Sequence, residues 1–240
     1  MKIIKAGYEI MTPISENGIE ELKFIERVAR TCYKSEDKIT EDGSSAVKMV
    51  SNLVKSGHEA MLEHGGMTVK FTVDRGISHE IVRHRIASFA QESTRYCNYS
   101  KGKFGEELTF IQPPFLTDEE IENWKLGKKY IKHGELFGEI REPSFYWLHT
   151  ASLVERAYLE LLKKGYLIPQ LARDILPTSL KTEVVMTANW REWRHFLRLR
   201  AAKDAHPQMQ EVAVPLLYKM NDMIPVLFHD IWEAVNNANQ

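Results

Sequence analysis

Cysteine is scarce, glycine-rich phosphate loops are missing, and neither sign of charge dominates. Only Cys32 and Cys97 occur in the 240 residues. They cannot form a tetrathiolate zinc site, and histidine and cysteine are not clustered at finger spacing, so no metal is expected. Neither thiol has a setting that would activate it. Arg95 alone lies near enough in sequence to depress the Cys97 pKa, and Cys32 has less, so both read as inert. The Walker phosphate loop, the Gly-x-Gly-x-x-Gly dinucleotide turn and the Gly-x-Ser-x-Gly nucleophile elbow are all absent. No stretch approaches the roughly 18 apolar residues of a membrane span. Met1 leads into charged and mixed sequence with no apolar signal segment, so a reducing cytoplasm is the expected compartment and no membrane a partner. With 32 basic against 33 acidic residues and a formal net charge of -1, no overall field draws nucleic acid. Any anion site must be local.

What is present is ordinary globular usage, 43% hydrophobic and 27% charged, enough for a substantial core and read as one domain over residues 1–240. Residues 2–10 read as a short strand, and Ser15–Tyr33 carries Ile19, Leu22, Ile25, Val28 and Ala29 at helical spacing. A polar loop over Asp37–Ser45 precedes a helix from Ala46 to Ser56, stopped by Gly57. Met67–Val73 alternates with period two, as a half-buried strand does. Ser78 can cap a helix running through Arg85. Leu108–Ile111 is strand-like and halted by Pro113 and Pro114, and Leu126–Glu142 has no clear period. Helices are expected over Phe145–Lys164, from Trp190 to Ala202 behind an Asn189 cap, from Pro207 with a kink or early start at Pro215, and over Ile224–Val235. Thr182–Thr187 is a β-branched strand. This order suits an α+β domain.

Two basic stretches carry the chemistry. Residues 83–96 hold Arg83, His84, Arg85, Gln91, Ser93, Arg95 and Tyr96. Guanidinium forks match phosphate and carboxylate oxygens, and hydroxyls add short donors. A solvated basic face is the bland alternative, with Glu80 paired to Arg83 or His84 at helical neighbour spacing. In the second stretch, from Asn189 to Arg200, about 100° per residue gathers Arg191, Arg194, His195 and Arg198 on one side and Trp193, Phe196 and Leu197 on the other. Arg200 falls with the apolar group, where a guanidinium needs either an anionic ligand or a buried carboxylate. Arg173 stands in a further apolar setting, with Asp174 as its plainest internal partner. Gly65-Gly66, after Glu63-His64, could admit a ligand to the backbone or simply turn the chain. Arginine interleaved with Tyr and Trp also suits a nucleic-acid module, which the near-neutral chain disfavours.

In order and spacing these segments resemble the flavin-dependent thymidylate synthases. The family signature, Arg-His-Arg, seven residues, Ser and then Arg-Tyr, is met by Arg83, His84, Arg85, Ser93, Arg95 and Tyr96. Gly57-His58-Glu59, Glu63-His64, Ala172-Arg173, Leu176-Pro177, Asn189, Arg191, His195, Phe196 and Arg200-Ala201 also fit. The similarity is strongest over 57–100 and 169–206.

The resemblance implies a mostly antiparallel central sheet flanked by long helices, and methylation of dUMP to dTMP. The carbon would come from 5,10-methylenetetrahydrofolate, with FAD carrying the hydride, NADPH reducing the flavin, and shared sites in a homotetramer. By position, Arg83, His84, Arg85, Gln91, Asn189, Arg191 and His195 should contact FAD, with His64 and Gly66 near flavin or folate. Glu80, Arg83, Gln91, Ser93, Arg95, Arg173 and Arg200 should surround dUMP, Arg200 being the catalytic group. No cysteine nucleophile is needed. Tyr96 and Trp190 are open to ring stacking or to the core. The chain departs from the usual pattern at Glu80, where glutamine is frequent, at Ala90-Gln91 in place of Asn-Glu, and at Asp204 in place of histidine.

Overall fold

A computed structural model describes residues 1–126 and 142–238. In chain order the elements are β1 (Lys2–Ile4), β2 (Gly7–Ile10), α1 (Ile19–Thr31), α2 (Ser44–Lys55), β3 (Gly66–Asp74), α3 (Arg75–Ile81), β4 (Ala87–Gln91), β5 (Thr109–Ile111), α4 (Asp118–Lys125), α5 (Pro143–Leu162), α6 (Pro169–Ala172), β6 (Lys181–Asn189), α7 (Trp190–Arg200), α8 (Pro207–Met223) and α9 (Pro225–Ala238). A four-stranded antiparallel sheet has the order β2-β3-β6-β4, and β1 and β5 form a separate parallel pair. The class is α+β, as the element order predicts. Most of the aperiodic stretch from Leu126 to Glu142 lies outside the described residues.

The chain gathers into two compact units. The first comprises Met1–Ala6, Thr72–His79 and Gln91–Glu183. Its core is Tyr99, Leu108, Phe110, Ala151, Tyr158, Ala172 and Leu180, with Leu116, Ile121 and Leu148 in a smaller cluster. Helix α4 starts on a capping box, in which Thr117 accepts from the Glu120 amide and the Glu120 carboxylate accepts from the Thr117 amide. The second unit comprises Gly7–Phe71, Glu80–Ala90 and Val184–Gln240. Its core joins Leu22, Ile25, Val50, Leu62, Val69, Phe71, Val184, Met186, Trp190, Trp193, Phe196, Leu217 and Phe228. Phe71, Trp193 and Phe196 meet ring to ring, and the Trp193 indole donates to the Met67 carbonyl at 2.9 Å. That bond makes burial of the indole N–H tolerable.

Two expectations need correction. Residues 2–10 are two strands: β1 pairs with β5 in the register Lys2↔Thr109 to Ile4↔Ile111, and β2 joins the four-stranded sheet. The helix expected from Ser78 to Arg85 begins earlier and stops at Ile81. Asp74 accepts from the Ile77 amide at 2.7 Å and so starts it, while the Ser78 hydroxyl is turned inward to the Arg75 carbonyl. Arg83 and Arg85 therefore lie on the connection to β4, and the helical angle between them has no meaning. As expected, α8 opens at Pro207 and holds Pro215 in its interior, ending at Met223.

Helix α7 holds the largest departure from its wheel. Asn189 caps it as expected, accepting from the Glu192 amide at 2.8 Å. Trp193, Phe196 and Leu197 are buried, yet so is Arg194, on the side read as polar. The reason is packing: α7 is covered by the turn Glu59–His64 and by α9. Arg194 donates to Glu59 at 3.0 Å, to both carboxylate oxygens of Asp230 at 2.8 Å, and to the Leu227 carbonyl. A fully buried guanidinium is tolerable with that many acceptors. Burial alone would raise the Asp230 pKa, but Arg194 and then Arg198 more than reverse this and leave it lowered.

Removing one partner of such a buried network typically costs about 3 kcal/mol or more, because the remaining charges are stranded. Arg194→Met should destabilise the fold by that order in urea denaturation, and a loss below about 1 kcal/mol would show that the network does not anchor α7.

Candidate active site

The residues singled out by sequence fall into two groups, one in each unit. In the unit containing α7, Glu80 in the last turn of α3 and His84 on the connection to β4 lie against the end of that helix. Arg200 donates from Nη1 to the Glu80 carboxylate at 2.6 Å, from Nη2 to the Glu80 carbonyl at 3.0 Å and from Nε to His84 Nε2 at 3.1 Å. Both readings of Arg200 thus have support: a carboxylate meets it, yet among the described residues only three of its five N–H groups are used. One N–H remains on each terminal nitrogen. The side chain is 21% exposed, so that pair can be reached from outside.

Behind Arg200, His84 is buried, and its Nδ1 lies 2.8 Å from Glu192 Oε1 on the first turn of α7. An arginine Nε can only donate, so His84 Nε2 must accept and Nδ1 must carry the hydrogen that Glu192 receives. His195, Glu192 and His84 place three ligand-type atoms within 4.8 Å of one another. A cation there would have to displace the bond from His84 to Glu192 and sit beside the Arg200 guanidinium.

Around this line, Arg83 and Arg85 are exposed and enter no ion pair among the described residues. Arg191 is exposed and bonded to Glu63, also exposed, while His64 and His195 are exposed too. Gly66 serves the chain itself: a Cβ there would lie 2.3 Å from the Ala188 carbonyl oxygen and 2.9 Å from Asn189 Cα. The glycine lets β3 press against the junction of β6 with α7. Trp190 is 1% exposed and belongs to the core.

In the other unit, Gln91 turns inward and donates to the Ser78 hydroxyl at 2.8 Å and to Thr182 at 3.3 Å. Ser93 accepts from the Arg95 amide at 3.3 Å, and the exposed Arg95 guanidinium lies 5.4 Å from the Tyr96 ring centre. Tyr96 is 77% exposed and so is not a core residue. Arg173 and Asp174 are both exposed, and Arg173 has no ion pair among the described residues. Glu92 braces this loop, accepting from Tyr99 at 2.8 Å and from Lys181 at 3.0 Å. Both cysteines are free thiols, and burial, then Glu92, pushes Cys97 above the ordinary thiol range, so it is held protonated.

Glu192, Asp230 and Glu92 are the residues that sequence reasoning missed, and Glu59 enters it only as part of a motif, without its partner. None of the four signals its partner locally, and only the fold brings Glu192 to His84 or Glu59 to Arg194, across 108 and 135 positions.

Comparison with known proteins agrees with this arrangement of motifs. The family model described as "Thymidylate synthase complementing protein" matches residues 17–226. A flavin-dependent thymidylate synthase of Corynebacterium aurimucosum is 31% identical over 222 residues, covering 90% of this chain and 82% of its own. That of Corynebacterium efficiens is 30% identical over 219 residues, covering 89% and 80%. A solved UMP/dUMP methylase, PolB from Streptomyces cacaoi bound with 5-Br dUMP, superposes with a TM-score of 0.69 at 21% identity over 98% of this chain and 97% of that one, a likeness of fold. The fold is that of an α+β class shared with this methylase. The chain belongs to the flavin-dependent thymidylate synthase family. No helix among the described residues is long and apolar enough to cross a membrane.

His84 titrates against this background. Burial lowers its pKa below the ordinary 6.5, Glu192 opposes this, and Arg200 and then His195 lower it further, with Glu80 facing it through Arg200. A histidine depressed in the folded state takes its proton first in the unfolded chain. Its contribution to stability is therefore intact above 6.5 and lost as pH falls through the folded value. NMR titration of the His84 ring should give a midpoint below 6.5, and one at or above 6.5 would contradict the geometry.

Proposed function

We propose that this chain forms dTMP by reductive methylation of dUMP, taking the carbon from 5,10-methylenetetrahydrofolate and releasing tetrahydrofolate. In this reading the enzyme is a cytoplasmic homotetramer, with active sites drawn from more than one subunit and with no part for membranes or nucleic acid. Family membership supports the reaction, and the observation that carries the chemistry is the held guanidinium of Arg200 with two N–H groups to spare.

The donor set fits FAD. Exposed guanidiniums without internal carboxylates, Arg83 and Arg85, are what a pyrophosphate requires, and Arg191 has only an exposed partner to give up. These three with His195, Asn189 and Gln91 would hold the cofactor, and His64 and Gly66 would lie by flavin or folate. His84 has both ring nitrogens engaged within the chain, which leaves it an edge contact. Bound FAD supplies the reducing hydride, itself replenished from NADPH.

The chain's own residues bind and polarise the pyrimidine. Ser93, Arg95 and Arg173 suit the nucleotide phosphate, as exposed forks and a hydroxyl do. Glu80, Arg83 and Gln91 complete the dUMP set. Arg200 suits the uracil edge, where its paired N–H groups stabilise an ionised N3 and the enolate oxygen that develops as the ring becomes nucleophilic. Because Glu80 and His84 already fix the guanidinium, it needs no reorganisation as that charge appears. No protein atom bonds to the pyrimidine, which agrees with the protonated Cys97.

Anaerobic incubation with FAD, NADPH, methylenetetrahydrofolate and dUMP should yield dTMP by chromatography, and its absence would overturn the reading. Arg200→Ala should lower turnover about a hundredfold or more with the far-UV spectrum unchanged, and undiminished turnover would remove the role given to Arg200.

A further inference from the structure

We propose that Glu192 is a positioning residue for Arg200, acting through the His84 ring: its carboxylate holds His84 as the Nδ1–H tautomer, so that Nε2 presents a lone pair to the Arg200 guanidinium. The proposal rests on the reading that Arg200 meets the pyrimidine, and it adds the residues that decide where Arg200 points.

The line of contacts is continuous. Asn189 accepts from the Glu192 amide at 2.8 Å, Glu192 accepts from His84 Nδ1 at 2.8 Å, and His84 Nε2 accepts from Arg200 Nε at 3.1 Å. Arg200 then closes on Glu80 at 2.6 Å. With both partners in place, each end of the ring favours the same polarity. The guanidinium has no acceptor, so Nε2 cannot carry hydrogen, and a neutral imidazole must then carry it on Nδ1. That hydrogen faces Glu192, whose side chain is 8% exposed and would be costly to bury without a donor. Edge-on contact with Phe196, ring centres 4.9 Å apart, fixes the plane of the imidazole. Glu192 and Arg200 sit eight residues apart on one helix and do not touch, so His84 is the link that couples the first turn of α7 to its last.

Loss of the acceptor at position 192 frees the ring to carry its proton on Nε2. Two donors would then face each other, and the guanidinium would turn away from Glu80. An amide oxygen can replace the carboxylate as acceptor; an apolar side chain of similar length cannot. A purely structural Glu192 would change stability in both variants without selecting between tautomers or between kcat and fold.

The test combines imidazole nitrogen NMR of the ligand-free protein with steady-state dTMP formation. Wild-type His84 should be the Nδ1–H tautomer, Glu192→Gln should keep that tautomer and turnover within about threefold, and Glu192→Met should shift the proton to Nε2 and lower kcat about tenfold or more, since a guanidinium displaced by about 1 Å is badly placed. The double variant Glu192→Met/Arg200→Ala should be no slower than Arg200→Ala alone. A wild-type Nε2–H ring, an unchanged tautomer in Glu192→Met, or wild-type kcat in a folded Glu192→Met enzyme would each overturn the proposal. Failure of the functional reading would look different: wild-type protein would form no dTMP, while the ring NMR would still decide whether Glu192 sets the tautomer.

Discussion

The site depends on one buried charge. Arg194 is enclosed by Glu59, by Asp230 and by the Leu227 carbonyl, and these come from the turn before β3 and from α9. Three elements are therefore tied at a single guanidinium in the middle of α7. A helix held only by apolar packing can slide or rotate by small amounts, because hydrophobic contact is not directional. A planar fork bonded on several sides resists that motion, since displacement would strand several charges at once. Everything else α7 carries inherits that placement: Glu192 two residues before, Arg198 one turn after, and Arg200 at the end.

Along the same helix, arginine serves opposite ends according to its acceptors. Arg194 is fully buried, with acceptors from within the chain on all three of its nitrogens. Arg191 has one exposed carboxylate, and Arg200 has Glu80 and His84 but two N–H groups over. On the connection before β4, Arg83 and Arg85 have no internal partner among the described residues. The gradient from enclosed to unpartnered separates arginines committed to the fold from those with donors left over more sharply than position on a wheel does. A guanidinium is always charged, so only the number of acceptors around it can tell the two uses apart.

That distinction also marks what was legible beforehand. Strands such as β3 and β6 carry their period-two burial openly, with Met67, Val69, Phe71 and Val73 inside, and the Asn189 cap is written in one residue. Family motifs identified the arginines as a set. Three things could not be read. Asp74 starts α3 a full turn before Ser78 because a cap depends on local geometry that both residues could provide. The side of α7 read as solvent is covered by residues 59–64 and α9, a tertiary fact with no signal in α7 itself. Glu192 reads as a surface acid among cations until the fold lays His84 across it. In each case local pattern gave the type of group and the long-range contact decided its task.

Glu80 stands where the family more often has glutamine, and the geometry explains how the chain accommodates it. A carboxylate beside Arg200 offsets part of the charge that a pyrimidine anion would otherwise feel, which on Coulombic grounds alone should weaken the site. Orientation acts the other way. A charged acceptor bonds Nη1 more strongly than an amide would, and with His84 on Nε it fixes the plane of the fork, leaving one N–H on each terminal nitrogen. Preorganised donors stabilise developing charge without having to rearrange, and that advantage grows in a site partly shielded from water. An arrangement of this kind exchanges field strength for direction. It requires the group behind Arg200 to stay neutral, since a protonated His84 would replace an acceptor with a donor and a cation. Burial of the ring and the facing guanidinium both oppose that protonation, so the features that aim Arg200 also keep His84 in the form that aims it.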